Sequence, residues 1–115
     1  MVPLAAGVVV LVRFRFSDLS QTKLRPAVVL ADAGRGDWIL RQVTSKPYAD
    51  NAAVVLDAGD FRQGSFAGHE PHAAGKLFTA SDYLTYRTIG ILQPEPLRKV
   101  ITAVVMILGG HREWD

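Results

Sequence analysis

Residues 8–16 read Val-Val-Val-Leu-Val-Arg-Phe-Arg-Phe, and the end of this run sets the fold class. The apolar residues at 12, 14 and 16 alternate with Arg13 and Arg15, which is the period of a β-strand. A helix would scatter these side chains around its axis. The run therefore predicts a first strand that buries an aromatic face and exposes a basic one.

Shorter β-forming runs follow, separated by glycine, proline and polar residues. They predict strands at 27–30, 38–43, 53–56, 76–79 and 87–92, with loops or turns at 17–24, 34–37 and 47–51. The glycine-rich residues 59–75 receive no assignment, except that Asp57 and Asp60 flank Gly59 in a predicted turn. Ser81 is a candidate cap for a short turn at 82–84.

The tail has helical spacing, because its apolar residues recur every three or four positions. This stripe contains Leu97, Val100, Ile101, Val104, Val105 and Leu108. Pro94 and Pro96 mark the predicted start, and Gly109-Gly110 marks the end. The helix is apolar around more than half of its circumference, which predicts two contacts. One is with the sheet, and the other is with a second subunit or with further core of the same chain.

Length and composition fit one folded domain over residues 1–115, with 49% hydrophobic and 21% charged residues. Strand after strand with one final helix favours a mainly β fold with a C-terminal helix, built as a small barrel or strongly bent sheet. The absence of cysteine excludes disulfides and cysteine zinc sites, and it suits a cytoplasmic protein. The apolar runs at 8–12 and 100–108 are too short to cross a membrane and are interpreted as core.

The sequence carries few of the familiar motifs of enzyme chemistry. It has no Walker loop, no Rossmann glycine pattern and no Gly-x-Ser-x-Gly elbow. His69, Glu70 and His72 are close in sequence, but Pro71 opposes the helix that would align the two histidines. We therefore expect no metal site, and we interpret these histidines as solvated loop residues.

Arg25, Thr44 and Ser45 each stand at a predicted strand boundary, which places their side chains at the rim of a small barrel. A guanidinium can hold two phosphate oxygens at once, and a hydroxyl can donate a hydrogen bond to the same phosphate. These residue types suit RNA cleavage by its own 2′-hydroxyl, although they are also ordinary at strand ends.

Positive charge is concentrated in one stretch, although the net charge is only +2. The stretch contains Arg13, Arg15, Lys23 and Arg25, and Asp18 is its one opposing carboxylate. This arrangement fits a footprint for a polyanion, and it fits a solvated strand and loop equally well.

Seven stretches, in order along nearly the whole chain, are similar in residue type and spacing to the MazF/PemK toxins. They are 7–12 (Gly-Val-Val-Val-Leu-Val), 14–19 (Phe-Arg-Phe-Ser-Asp-Leu), 23–30 (Lys-Leu-Arg-Pro-Ala-Val-Val-Leu), 42–45 (Gln-Val-Thr-Ser), 60–66 (Asp-Phe-Arg-Gln-Gly-Ser-Phe), 76–79 (Lys-Leu-Phe-Thr) and 89–92 (Ile-Gly-Ile-Leu). The resemblance implies an SH3-like β-barrel of the MazF/PemK/CcdB type, a homodimer, and a cognate antitoxin as partner. It also implies an endoribonuclease without cofactor or metal, which cuts single-stranded RNA selectively through a 2′,3′-cyclic phosphate.

The same resemblance assigns roles to single residues. Arg25 would orient the phosphate and oppose its transition-state charge, Thr44 would hydrogen-bond the scissile phosphate beside Ser45, and Asp18 is the first candidate for proton acceptor. The implied RNA contacts are Arg13, Arg15, Lys23, Gln42, Lys46 and Lys76. Two alternatives stay open: a CcdB-like poison or binding module without enzymatic activity, and a catalytically weakened partner subunit. The second rests on residues 67–74, which lack the Ser and Arg that many relatives carry before the Lys-Leu pair.

Overall fold

The computed structural model describes residues 3–15, 22–45, 53–66 and 72–109. Seven strands, two 3₁₀ turns and one helix account for most of them. The strands are β1 (Val8–Arg15), β2 (Thr22–Gly34), β3 (Asp37–Thr44), β4 (Val54–Leu56), β5 (Phe61–Gly64), β6 (His72–Ser81) and β7 (Thr85–Leu92), and the helix is α1 (Pro94–Gly109). Turns at Ala58–Asp60 and Asp82–Leu84 precede β5 and β7. The predicted fold class, mainly β with a C-terminal helix, is confirmed.

All seven strands join one antiparallel sheet in the order β4-β6-β3-β2-β1-β7-β5, which curls into a half-barrel. Each of its two faces buries an apolar cluster. The helix face contains Val9, Val28, Val43 and Val100 and is packed beneath α1. The inner face contains Val8, Val10, Val12, Ala27, Val29 and Leu40 and is lined by strands and by Leu4. The alternation within β1 thus sends successive valines to opposite cores, as the period of a strand requires.

β2 is longer than the run at 27–30 predicted, because it already begins at Thr22 and contains Pro26. A proline in a central strand removes one donor from the hydrogen-bonded ladder. Here Pro26 is paired with Leu11 of β1, whereas the ladder to β3 begins one residue later, at Ala27. At Pro26, β2 therefore pairs with β1 but not with β3.

The glycine-rich stretch at 59–75 also contains regular structure. It holds β5 and the start of β6, and its predicted turn is real: Asp57 and Asp60 form reciprocal capping hydrogen bonds around Gly59. Interpreting His72 as a solvated loop residue was wrong, because it lies in β6, half-buried, with its ring stacked 4.4 Å from that of Phe66. Ser81 precedes its turn, but its side chain makes no capping bond.

The helix follows its predicted bounds, but its two ends differ in burial. Val100 is fully buried, and Leu97, Ile101 and Val104 pack against the same core. Val105 and Leu108 were interpreted as core and are instead 61% and 62% exposed, because neither belongs to the group of α1 residues that pack against the core. Among the described elements, this helix included, none combines the length and apolarity needed to cross a membrane.

Candidate functional site

Arg25 and Thr44 are brought to the same face of neighbouring strands. Arg25 pairs with Val12, whose side chain belongs to the inner cluster, so Arg25 projects on that face. Thr44 lies four residues beyond Leu40 on β3 and therefore projects on the same face. The ladder between β2 and β3 ends at the pair of Ala27 with Gln42, so Arg25 and Thr44 each lie two residues beyond this pair on neighbouring strands.

The curled sheet collects these side chains at one end. β1 and β3 finish there, while β2, β6 and β7 begin there, because each is antiparallel to its neighbour. Arg25, Thr44 and Ser45 are all half-buried, so the frame constrains them but leaves part of each side chain accessible. Rigid strand ends are suited to holding functional groups in fixed geometry.

Gln42 and Lys76 lie beside this pair. Gln42 is half-buried and projects on the same face as Thr44. Across from it the ladder contains a β-bulge, in which Gly75 and Lys76 of β6 oppose the single residue Gln42. The bulge leaves Lys76 exposed one strand away from Gln42. Both residues are therefore placed near the candidate pair, and their role as RNA contacts stays a prediction.

The basic stretch does not form one surface. Lys23 pairs with Phe14 and Arg25 with Val12, whereas Arg13 pairs with Leu24. Since paired residues project on one face and successive residues on opposite faces, Lys23 and Arg25 share the inner face. Arg13 projects on the helix face, while the side chain of Arg15 lies outside the described part of the structure. Arg13 thus stands apart from the two cations of β2.

Asp18 and Lys46 lie outside the described residues, so their predicted roles as proton acceptor and RNA contact stay predictions. Residues that are described near the site include no group of three or more His, Asp or Glu side chains suited to a metal ion. The chemistry that this arrangement offers is a guanidinium and a hydroxyl on one face of the sheet, which suits a phosphodiester.

Arg41 is a residue that the sequence analysis missed. Its side chain is 0% exposed and points to the helix face of β3 between Ile39 and Val43. Nε donates to the carbonyl of Gly75 at 2.8 Å, and Nη1 donates to the carbonyl of Val100 in α1 at 3.2 Å. Arg41 thereby ties the bulge that carries Lys76 to the helix. Strand alternation could have identified Arg41 from the sequence, because the period of β3 places it on the same face as the apolar Ile39 and Val43.

No protein-family model matches the chain, and no curated protein matches its sequence. Solved structures do match its fold. The MazE–MazF complex from Deinococcus radiodurans covers 92% of this chain and 96% of the matched one, with a TM-score of 0.70 and 21% identity. An endoribonuclease in complex with its cognate antitoxin, from a mycobacterial species, covers 93% of each chain at a TM-score of 0.63 and 18% identity.

A third match is the Mycobacterium tuberculosis toxin MazF-mt6, which covers 92% of this chain and 98% of its own, at a TM-score of 0.60 and 15% identity. Identities this low establish shared architecture. In all three matches the shared architecture covers at least 92% of both chains. The chain has the fold of the MazF toxins.

Proposed function

We propose that this chain is a toxin of a type II toxin–antitoxin pair, acting as a metal-independent endoribonuclease on single-stranded RNA. The observation that carries the proposal is the placement of Arg25 and Thr44 on one face, at the shared end of β2 and β3. Two of the structures with this fold are named as complexes with an antitoxin, and one as an endoribonuclease. A toxin fold and a phosphate-binding pair thus support the same activity.

The reaction uses a nucleophile that belongs to the substrate. The ribose 2′-oxygen attacks the adjacent phosphorus, the bond from phosphorus to the 5′-oxygen breaks, and a 2′,3′-cyclic phosphate remains. The 2′-hydroxyl proton passes to a base, for which Asp18 is the first candidate, and a proton reaches the departing 5′-oxygen. Arg25 would hold the non-bridging oxygens as their negative charge grows, and Thr44 would donate a hydrogen bond to the same phosphate.

The partners follow from the same proposal. An antitoxin would bind the toxin and block the RNA surface. The exposed apolar end of α1, formed by Val105, Met106, Ile107 and Leu108, is suited to contact a second copy in a homodimer. Lys76, Lys23 and Gln42 would contact the RNA backbone beside the cleavage pair, because they lie nearest to it.

The test is incubation of the purified protein with a mixed single-stranded RNA pool in excess EDTA, followed by mapping of the product ends. We expect cleavage that is unaffected by the chelator, a 2′,3′-cyclic phosphate at one end and a 5′-hydroxyl at the other. A strand with one 2′-deoxy sugar at the cleaved position should resist cutting. Cutting of that strand, or loss of activity in EDTA, would refute the mechanism.

A matched pair of variants separates the site from general charge effects. Arg25→Ala should slow cutting by about 100-fold or more, whereas Arg62→Ala removes an exposed arginine on β5 and should leave it unchanged. Growth arrest that persists with Arg25→Ala would favour a non-enzymatic poison instead. A purified protein that binds RNA, releases no product and regains activity only with another subunit would favour the weakened-partner alternative.

A further inference from the structure

An open groove of about 930 Å³ follows β7, separate from the Arg25–Thr44 pair. Its floor is formed by the strand itself, from Thr85 to Gly90, and its walls include Leu4 and Trp38. Two tyrosines, Tyr83 and Tyr86, stand at the end near the start of β7. None of these residues is used in the proposed cleavage step, so the groove requires its own explanation.

The two tyrosines are unusually accessible for large aromatic side chains. Tyr83 is 81% exposed and Tyr86 is 53% exposed. The guanidinium carbon of Arg13 lies 5.1 Å from the centre of the Tyr86 ring, in a cation–π contact. Arg87, which is exposed, lines the same groove. Two aromatic rings and the guanidinium of Arg87 thus lie at one end of the groove, with Arg13 against the ring of Tyr86.

The backbone beneath these side chains is fixed. The amide of Asp82 donates to the carbonyl of Gly36 at 2.8 Å, which fastens the turn at Asp82–Leu84 to the β2–β3 hairpin. The hydroxyl of Thr85 donates to the carbonyl of Asp82 at 2.6 Å, and the amide of Thr85 does the same. Tyr83 and Tyr86 therefore project from a preorganised support, which lowers the entropic cost of binding a ligand.

Among the groove residues, Thr85 at the start of β7 connects most directly to the cleavage site. Val12 pairs with Arg25 on one side and with Thr85 on the other, so these three residues form a rung on the inner face. Two strand spacings separate Arg25 from Thr85, which is about 10 Å. Arg87 opposes Leu11 at a register shift, and Tyr86 contacts Arg13, so these side chains lie toward the helix face. Among the described residues β5 pairs with β7 only from Gly90 onward, so RNA that crosses Arg25 and Thr85 can pass over the open edge of β7 at residues 85–89 to reach them.

We propose that the tyrosine end of this groove binds a nucleotide of the single-stranded RNA flanking the cleaved bond. Tyr86 stacks against the base, while Arg13 and Arg87 neutralise the neighbouring phosphates. Stacking on an exposed ring and charge pairing with guanidinium groups are how proteins hold unpaired nucleotides without reading their sequence. This inference rests on the proposed function for the identity of the RNA, but it concerns binding and not cleavage.

The first test measures binding without cleavage. A fluorescein-labelled 20-nucleotide RNA of mixed sequence, 2′-O-methylated throughout, cannot supply the attacking hydroxyl, so its anisotropy reports affinity alone. Tyr86→Ala should weaken binding about tenfold or more, as the loss of one base–aromatic stack does. Tyr86→Phe keeps the ring and should bind like the parent chain. Arg13→Ala should weaken binding and flatten its salt dependence, whereas Arg62→Ala should do neither.

The second test locates the base. Photo-crosslinking with 4-thiouridine RNA, followed by peptide mass spectrometry, should mark the peptide that contains Tyr83 and Tyr86. RNA that binds and crosslinks there but is never cut would refute the proposed function and leave this inference standing. Unchanged affinity in Tyr86→Ala, with crosslinks elsewhere, would overturn it. So would a Tyr86→Ala variant that loses only antitoxin affinity, because the groove would then be a protein-docking site.

Discussion

Gly64 is the position where one added methyl group should do most damage to the sheet. It ends β5 with φ +77°, and it pairs with Gly90 of β7. A Cβ built at Gly64 would lie 2.1 Å from the carbonyl oxygen of Ile89 and 2.6 Å from the Cα of Gly90. Both are backbone atoms of the neighbouring strand, so relief requires β5 and β7 to separate. Gly64→Ala therefore tests the pairing that forms one end of the β7 groove.

A control substitution in the same chain separates the two parts of this destabilisation, the conformational strain and the steric overlap. Gly34 has φ +92°, but a Cβ there would meet nothing within 4 Å. Gly34→Ala therefore carries only the conformational strain, about 1–2 kcal/mol. Gly64→Ala carries that strain and a steric overlap of about 1–3 kcal/mol, so about 2–5 kcal/mol in total. For a chain of this length each kcal/mol lowers Tm by about 4 °C.

Thermal and urea unfolding followed by circular dichroism would measure both variants. We expect Tm to fall by about 4–8 °C in Gly34→Ala and by about 8–20 °C in Gly64→Ala. Equal losses in the two variants would refute the reasoning, because they would mean that the contact between β5 and β7 adds nothing to the strain. A Gly64→Ala protein as stable as the parent chain would contradict the pairing of these strands directly.

Three other predictions concern the core, an ion pair and the exposed end of the helix. Leu56→Ala should lower the free energy of unfolding, measured in urea, by about 2–5 kcal/mol because Leu56 is buried. Val55→Ala, at the exposed neighbouring position, should change it little. Equal effects of the two substitutions would contradict the placement of β4. The hydrogen bond from Arg98 lowers the pKa of Glu95, so any stability from this pair is present at neutral pH and lost as the pH falls through that lowered pKa. NMR titration of Glu95 in Arg98→Ala should therefore give a higher midpoint than in the parent chain, with almost no change in Tm because both side chains are largely exposed to solvent. Met106→Ser should convert a dimer to a monomer in light scattering, and an unchanged mass would exclude this face as the interface.

The parts of the fold that follow a regular period could be predicted from the sequence. Alternation placed β1 correctly, with Val12 buried and Arg13 exposed, and helical spacing placed α1 between Pro94 and Gly109. Short strands were harder to predict from a periodic pattern. β5 contains Gly64, whose role depends on how close Ile89 approaches, and that approach is a property of the sheet and not of the local sequence.

The candidate site shows the same division. Arg25 and Thr44 were identified by residue type at strand ends, but only the register of β2 with β3 brings them to one face. Local sequence could not separate Arg13 from Lys23, because the opposite projection of these side chains follows from the pairing of β1 with β2. Arg41 was missed because its hydrogen-bond acceptors are the carbonyls of Gly75 and Val100, which are remote along the chain.

The central claim is that Arg25 and Thr44 act together on one phosphate. A double-mutant cycle measures this directly, with RNA cleavage rates in EDTA for Arg25→Ala, Thr44→Ala and the double variant. Groups that stabilise one transition state should be strongly non-additive, so the double variant should lose much less than the product of the two single losses. Losses that simply multiply, as they should when Arg62→Ala is combined with either variant, would contradict the account.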